Sequence, residues 1–127
     1  MKLYDFKPFP NPRRVRMFLA EKQIAVENHQ VDAMAGEHRS AAFRAKNPAC
    51  SLPTLELDDG TFISESIAIC RYIEEAQPEP VLMGSTPRGK AITEMWQRRV
   101  EQSLMDPVLS FFHHATPGLG EIGRAHA

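Results

Sequence analysis

A chain of 127 residues with 43% hydrophobic and 24% charged side chains is long enough to bury a real core and has an ordinary globular composition. Its net charge of −1 gives no general attraction to nucleic acid or to an anionic membrane surface, and no apolar run approaches the roughly 18 residues that a bilayer span needs. Met1-Lys2-Leu3-Tyr4-Asp5 is not a signal peptide, and Cys50 and Cys70 show neither C-x-x-C nor zinc-site spacing, so a reduced, cytoplasmic setting is expected.

Lys2 to Phe6 alternates and reads as a first strand. Lys7 to Pro12 holds three prolines and reads as a rigid loop, with Asn11 as N-cap and Pro12 at the first helical position. Val15, Phe18 and Leu19 then mark the buried stripe of a helix reaching about Gln23. Ala25 to Val31 reads as a second strand, parallel to the first if the helix crosses over between them. Asp32 to Glu37 is a loop, and His38 to Ala45 a short, weakly periodic helix.

The segment from Asn47 to Ile73 carries the most information. Asn47-Pro48 punctuates what precedes it, and Leu52-Pro53 stands at a turn or strand start, because proline fixes φ and donates no hydrogen bond. Thr54 to Leu57 alternates polar and apolar, and Asp59-Gly60 signals a hairpin turn into Thr61-Phe62-Ile63. Ser64 can cap a third helix whose Ile69, Tyr72, Ile73 and Ala76 share one buried face. The run Gln77-Pro78-Glu79-Pro80 ends that helix, and the stretch to Thr86-Pro87 reads as a linker. A longer helix begins at Arg88 with Ile92, Met95, Trp96 and Val100 on one face, and Pro107 should kink or break it. Phe111-Phe112-His113-His114 continues the apolar stretch, which Pro117-Gly118 and Gly120 close.

Two junctions carry chemistry. A cis bond before Pro53 would leave the N–H and C=O of Leu52 pointing out of the sheet, free to pair with an extended peptide. Ser64-Glu65-Ser66 opens a helix, whose unpaired N–H groups and positive dipole end receive a carboxylate, while the Glu65 side chain can bind an ammonium group. A strand edge, an anion hole and one acidic side chain describe a receptor for a small γ-glutamyl or amino-acid-like ligand.

In this order and spacing, Asn47-Pro48, Leu52-Pro53, Asp59-Gly60, Glu65-Ser66 and Ala68-Ile69 resemble the glutathione-binding half of a soluble glutathione S-transferase of the bacterial or fungal-like type. The resemblance runs from Met1 to roughly Gly120. It implies an α/β fold, a thioredoxin-like N-terminal domain (βαβ-α-ββα) over residues 1–77, a linker at 78–85 and part of an all-α helical domain at 86–127. In the family that helical domain is longer, so Met95, Trp96, Leu104, Phe111 and Phe112 are expected to lack bundle partners. A truncated product, or a partner subunit covering that face, is expected in consequence.

The implied activity is conjugation of the glutathione thiolate to small apolar electrophiles, a detoxification chemistry with glutathione as co-substrate, no metal or nucleotide, and a homodimer as the working form. Leu52, Pro53, Glu65, Ser66 and His38 would bind glutathione, His38 through the glycine carboxylate; His38 could equally be an exposed loop histidine. Phe9, Phe111 and Phe112 would shape the electrophile pocket. The thiolate needs a hydrogen-bond donor, and Phe9 stands where serine-type members place their hydroxyl, while Tyr4 lies inside a strand. Asn11 could donate to sulfur or only cap its helix. His113 matches a histidine that in a fungal-type subgroup holds water against sulfur together with a serine; here that serine position is Leu109, with Ser110 one residue on. Arg13, Arg14 and Arg16 could draw in an anion or simply form a solvated face. The rival functions are a non-catalytic glutathione-binding or protein-interaction module and, less favoured, a thiol–disulfide oxidoreductase working through Cys50.

Overall fold

The computed structural model describes residues 1–115 and separates into two compact units, the first Met1–Leu82 and the second from Met83 onward. In the first unit the order is β1 (Lys2–Asp5), α1 (Pro10–Glu21), β2 (Glu27–Gln30), a 3-10 turn (Glu37–Arg39), α2 (Ala41–Arg44), β3 (Thr54–Glu56), β4 (Phe62–Ser64) and α3 (Ser66–Ala76). The sheet order is β2-β1-β3-β4, with β1 parallel to β2 and antiparallel to β3, and β3 antiparallel to β4. This is the thioredoxin-like βαβ-α-ββα arrangement.

Alternation along β1 divides the core between the two sheet faces. Leu3 pairs with Leu55 of β3, and both are fully buried, as are Val15 of α1 and Ile69 and Ile73 of α3. Burying each such side chain contributes roughly 1.5–3 kcal/mol relative to leaving it in water. Asp5 shares Leu3's face, and Arg16 of α1 donates to its carboxylate at 2.5 Å, so α1 covers that side. The opposite face gathers Tyr4, Val31, Ala33, Phe43 and Leu52, with Phe6, Phe9 and Phe62 packed against them.

Several local expectations are revised. Phe9, not Asn11, is the N-cap of α1, with extended φ −80°, ψ 141° and no side-chain bond. Pro10 takes the first helical position and forces the residue before it out of the helical region. The second strand is only Glu27–Gln30, all four residues exposed, because pairing with β1 rather than strand propensity defines it; Val31 N–H still reaches Asp5 O at 2.7 Å. The helix expected over His38–Ala45 is broken at Ser40, whose hydroxyl accepts from Phe43 N–H at 3.2 Å and so caps α2 instead of extending the preceding turn. Ser64 belongs to β4, and Glu65 is the N-cap of α3. The hairpin turn is as expected: Gly60 adopts φ 85°, a left-handed conformation natural to glycine, while Asp59 accepts from Thr61 N–H at 2.9 Å.

In the second unit α4 (Pro87–Val100) is capped by Thr86, whose hydroxyl accepts from Gly89 N–H at 3.0 Å. A π-helical turn, Glu101–Met105, joins it to α5 (Asp106–Ala115). The wider turn ends two residues before Pro107, whose missing N–H and ring would otherwise spoil an α-helical ladder, so the helix passes the proline where a kink or break was expected. Among the described residues no residue of α4 is buried, and Trp96 (56%), Leu104 (56%), Phe111 (74%) and Phe112 (50%) are well exposed. The closing Pro117-Gly118 and Gly120 lie outside the described residues.

Candidate functional site

Asn47 shapes the loop that carries Leu52. Its side chain is 3% exposed; Nδ2 donates to Ser51 O (3.0 Å), Ser51 Oγ (3.1 Å) and Thr54 Oγ1 (3.1 Å), while Oδ1 accepts from Ala49 N–H (3.1 Å). Thr54 Oγ1 also donates to Ser51 O at 3.1 Å. A single buried amide thus fixes residues 47–54 from the inside, a role beyond the punctuation expected of Asn47-Pro48. The Leu52-Pro53 bond is cis. Leu52 stands just outside β3, and neither its N–H nor its C=O is paired among the described residues. Its side chain lies in the same cluster as Phe9, so the proline bend and the approach to α1 share one apolar patch.

The start of α3 is open. The helical ladder begins with Ile69 N–H to Glu65 O at 3.0 Å, leaving the N–H groups of Ser66, Ile67 and Ala68 without a partner among the described residues. Ser66 is 7% exposed, and its hydroxyl accepts from Arg14 Nη1 of α1 at 2.9 Å. Glu65 has φ 69° and ψ 118°, a conformation that costs a non-glycine residue about 1–3 kcal/mol and that clusters at ligand sites. Its side chain is exposed and makes no bond among the described residues. Neither α1 nor α3 carries an acidic residue in its first turn. The bond from Arg14 ties the second turn of α1 to the start of α3, whose free N–H groups are an environment for an anion.

The start of α1 is sparing in donors. Pro10 and Pro12 have no N–H, Phe9 N–H is used by Phe6 O (2.9 Å) and Arg13 N–H by Phe9 O (3.3 Å). Asn11, half-buried, supplies the first turn's one free backbone N–H among the described residues, and its side chain is not engaged in capping. Tyr4 is committed elsewhere. Its hydroxyl donates to Glu56 Oε2 at 2.6 Å, and burial together with that carboxylate pushes its pKa up to about 12.

Of the other candidates, His38 is buried (3% exposed) in the 3-10 turn rather than on an exposed loop. Phe9 packs edge-on against Phe6, ring centres 4.9 Å apart. Phe111, Phe112 and His113 belong to α5 of the second unit. Phe9, Asn11, Leu52, Pro53, Glu65 and Ser66 all belong to the first unit, where Phe9 shares an apolar cluster with Leu52 and Ser66 is tied to α1 through Arg14. Cys50 is half-exposed, while Cys70 is 2% exposed with its thiol pushed up to about 11 by burial. Among the described residues no group of His, Cys, Asp or Glu is arranged to hold a metal, and no helix is long and apolar enough to cross a membrane.

Arg14 is the residue that sequence reasoning undervalued. Its neighbour Arg16 is spent on Asp5 and on Lys7 O (2.9 Å), so the arginine cluster divides into one structural member and one at the candidate site. The excess of cations at the dipole's wrong end was the available signal.

Comparison with known proteins identifies the family. Residues 10–76 match the family model for the glutathione S-transferase N-terminal domain. The chain is 46% identical over 122 residues to glutathione S-transferase 2 of Saccharomyces cerevisiae, covering 94% of this chain and 52% of that protein. It is 38% identical over 93 residues to a maleylacetoacetate isomerase of Pseudomonas aeruginosa, covering 72% of this chain and 44% of that protein. A crystal structure of a glutathione S-transferase domain-containing protein from Marinobacter aquaeolei VT8 superposes with TM-score 0.90 at 49% identity, covering 94% of this chain and 59% of that one. The chain spans about half the length of the curated relatives it matches. With more than half of its residues matching the family's N-terminal domain, the chain belongs to the glutathione S-transferase family.

Proposed function

We propose that this chain binds glutathione and transfers its thiolate to small apolar electrophiles. The observation that carries the reading is the open, acid-free start of α3, where three free N–H groups and the Ser66 hydroxyl converge beside Arg14. The γ-glutamyl carboxylate occupies that helix end and the ammonium group pairs with Glu65. The unpaired Leu52 edge at Pro53 takes the cysteinyl backbone, as an added strand would, and His38 serves the glycine carboxylate. Asn11 stabilises the sulfur with its free N–H and its side-chain amide. Phe9 lines the electrophile pocket. Residues 1–77 are the glutathione-binding domain, 78–85 the linker and 86–127 part of the helical domain; the working form is a cytoplasmic homodimer serving detoxification.

One observation favours a second reading, a glutathione-binding module without catalysis. Phe9 offers no hydroxyl and the Tyr4 hydroxyl is held by Glu56, so neither ordinary donor reaches the sulfur. Conjugation of glutathione to 1-chloro-2,4-dinitrobenzene separates the two. The transferase reading expects a rate above buffer that Asn11→Ala reduces roughly 10- to 100-fold, the loss of one charge-assisted donor. Saturable glutathione binding with no rate above buffer selects the module. The oxidoreductase reading finds no support in Cys70, which is buried and far from thiolate character at neutral pH.

A further inference from the structure

Prolines deprive the segment between β1 and α1 of the means to hold itself. Pro8, Pro10 and Pro12 carry no N–H, and among the described residues the one backbone bond closed within residues 6–12 is Phe9 N–H to Phe6 O at 2.9 Å. The segment is held from outside instead, by side chains that meet on Asp5. That carboxylate is fully buried. Its Oδ1 accepts from Arg16 Nη1 of α1 at 2.5 Å, and its Oδ2 accepts from Asn28 Nδ2 (2.9 Å) and Gln30 Nε2 (3.1 Å) of β2. Arg16 and Gln30 each reach on to the backbone of Lys7. Arg16 Nη2 donates to Lys7 O at 2.9 Å, and Gln30 Oε1 accepts from Lys7 N–H at 2.9 Å. A residue in an exposed turn is thus gripped at its N–H from the sheet and at its C=O from α1.

Beyond Lys7 the chain has little slack. Proline fixes φ at Pro8 and Pro10, the Phe6 and Phe9 rings pack edge-on with centres 4.9 Å apart, and Asn11 stands four residues on. Displacing Lys7 therefore displaces the Asn11 donors, and a shift of about 1 Å at a reacting group costs up to roughly 100-fold in rate. Resting on the reading of Asn11 as the group that stabilises the sulfur, we propose that Arg16 and Gln30 are positioning residues for the conjugation step: anchored on Asp5, they grip both backbone groups of Lys7 and so set where the Asn11 donors meet the thiolate. The rival role is a plain ion pair, in which Arg16 does no more than neutralise the buried Asp5 charge. Arg16→Lys separates the two, because lysine keeps a charge beside Asp5 but lacks the planar fork that bridges Asp5 Oδ1 and Lys7 O. Gln30→Ala releases Lys7 N–H from the other side, leaves Arg16 and Asp5 paired, and alters only an exposed side chain.

The test compares the full chain with Arg16→Lys, Gln30→Ala and the double variant in three measurements: conjugation of glutathione to 1-chloro-2,4-dinitrobenzene, calorimetric titration with glutathione, and amide hydrogen exchange. The double variant is expected to lose about tenfold in kcat, with glutathione affinity within about twofold of the parent. Its Phe9 N–H is expected to exchange at least about tenfold faster, while the amides of Leu3 and Leu55, in the two central strands, keep their parental rates. Unchanged Phe9 exchange in the double variant overturns the grip itself and leaves the binding and transfer readings standing. A parental kcat, or a kcat and an affinity that fall together by the same factor, reduces Arg16 to the ion pair and overturns the assignment. A parent chain that binds glutathione but conjugates none above buffer removes the transfer reading, and the assignment with it.

Discussion

Replacing Asn47 by alanine probes the buried brace beneath the candidate ligand edge. The side chain has two N–H protons shared among three acceptors and one carbonyl accepting from Ala49, so three full hydrogen bonds are at stake. At a net contribution of about 1 kcal/mol each, with a further penalty for groups left unsatisfied, Asn47→Ala should lower stability by about 2–4 kcal/mol. Part of the loss is offset because Thr54 Oγ1 still donates to Ser51 O. For a unit of this size, about 1 kcal/mol moves Tm by roughly 4–8 °C, so the drop is easily resolved. Urea unfolding followed by far-ultraviolet circular dichroism gives the stability, and glutathione titration of the folded variant gives the consequence for residues 47–54. Both stability and affinity should fall. A loss under about 1 kcal/mol with affinity unchanged would refute the argument that this amide shapes the loop.

The other perturbations test separate parts of the fold. Lys22 is 1% exposed; its ammonium pairs with Glu74 (2.5 Å) and donates to Gln77 O (2.8 Å) and Pro78 O (2.9 Å). Lys22→Met should therefore cost about 3–5 kcal/mol, and adding Glu74→Leu should restore much of it; urea midpoints decide, and a double variant no better than the single would contradict the reading. Tyr4 has a folded pKa of about 12 against an ordinary 10.0, so the fold favours its protonated form. That stabilisation is complete below pH 10 and is lost as pH rises through about 12, so Tyr4→Phe should flatten this part of the alkaline stability curve; identical curves would rule it out. A thiol reagent should modify Cys50 alone in the native chain and both cysteines in denaturant, since Cys70 is 2% exposed; two rapid equivalents in the native state would contradict its burial.

Features set by short-range chemistry were legible in the sequence. The Asp59-Gly60 turn, the proline bend and the buried face of α3 each follow from a few neighbouring residues, and their order points to the family. What escaped depends on partners distant in sequence. Lys22 sits at the end of an amphipathic helix, where local pattern places it in water; only the arrival of Glu74 and of the Gln77 and Pro78 carbonyls just past α3 makes its burial tolerable. Glu-Asn-His-Gln has no strand character of its own and is a strand because β1 offers it an edge. Asn11 looked like a cap because asparagine before proline is a good one, yet Pro10 competes for the same position one residue earlier. In the candidate site, Leu52, Glu65 and Ser66 could be read from spacing, whereas the bond from Arg14 could not, since helical periodicity pairs residues only within one helix.

The most direct test of the central claim is a two-dimensional amide NMR titration of the full chain with glutathione. Saturable shifts concentrated at Asn11, Leu52, Ser66, Ile67 and Ala68 are predicted, because these amides are the free donors around the proposed ligand. Stationary signals at all five, with glutathione present well above millimolar concentration, would contradict it.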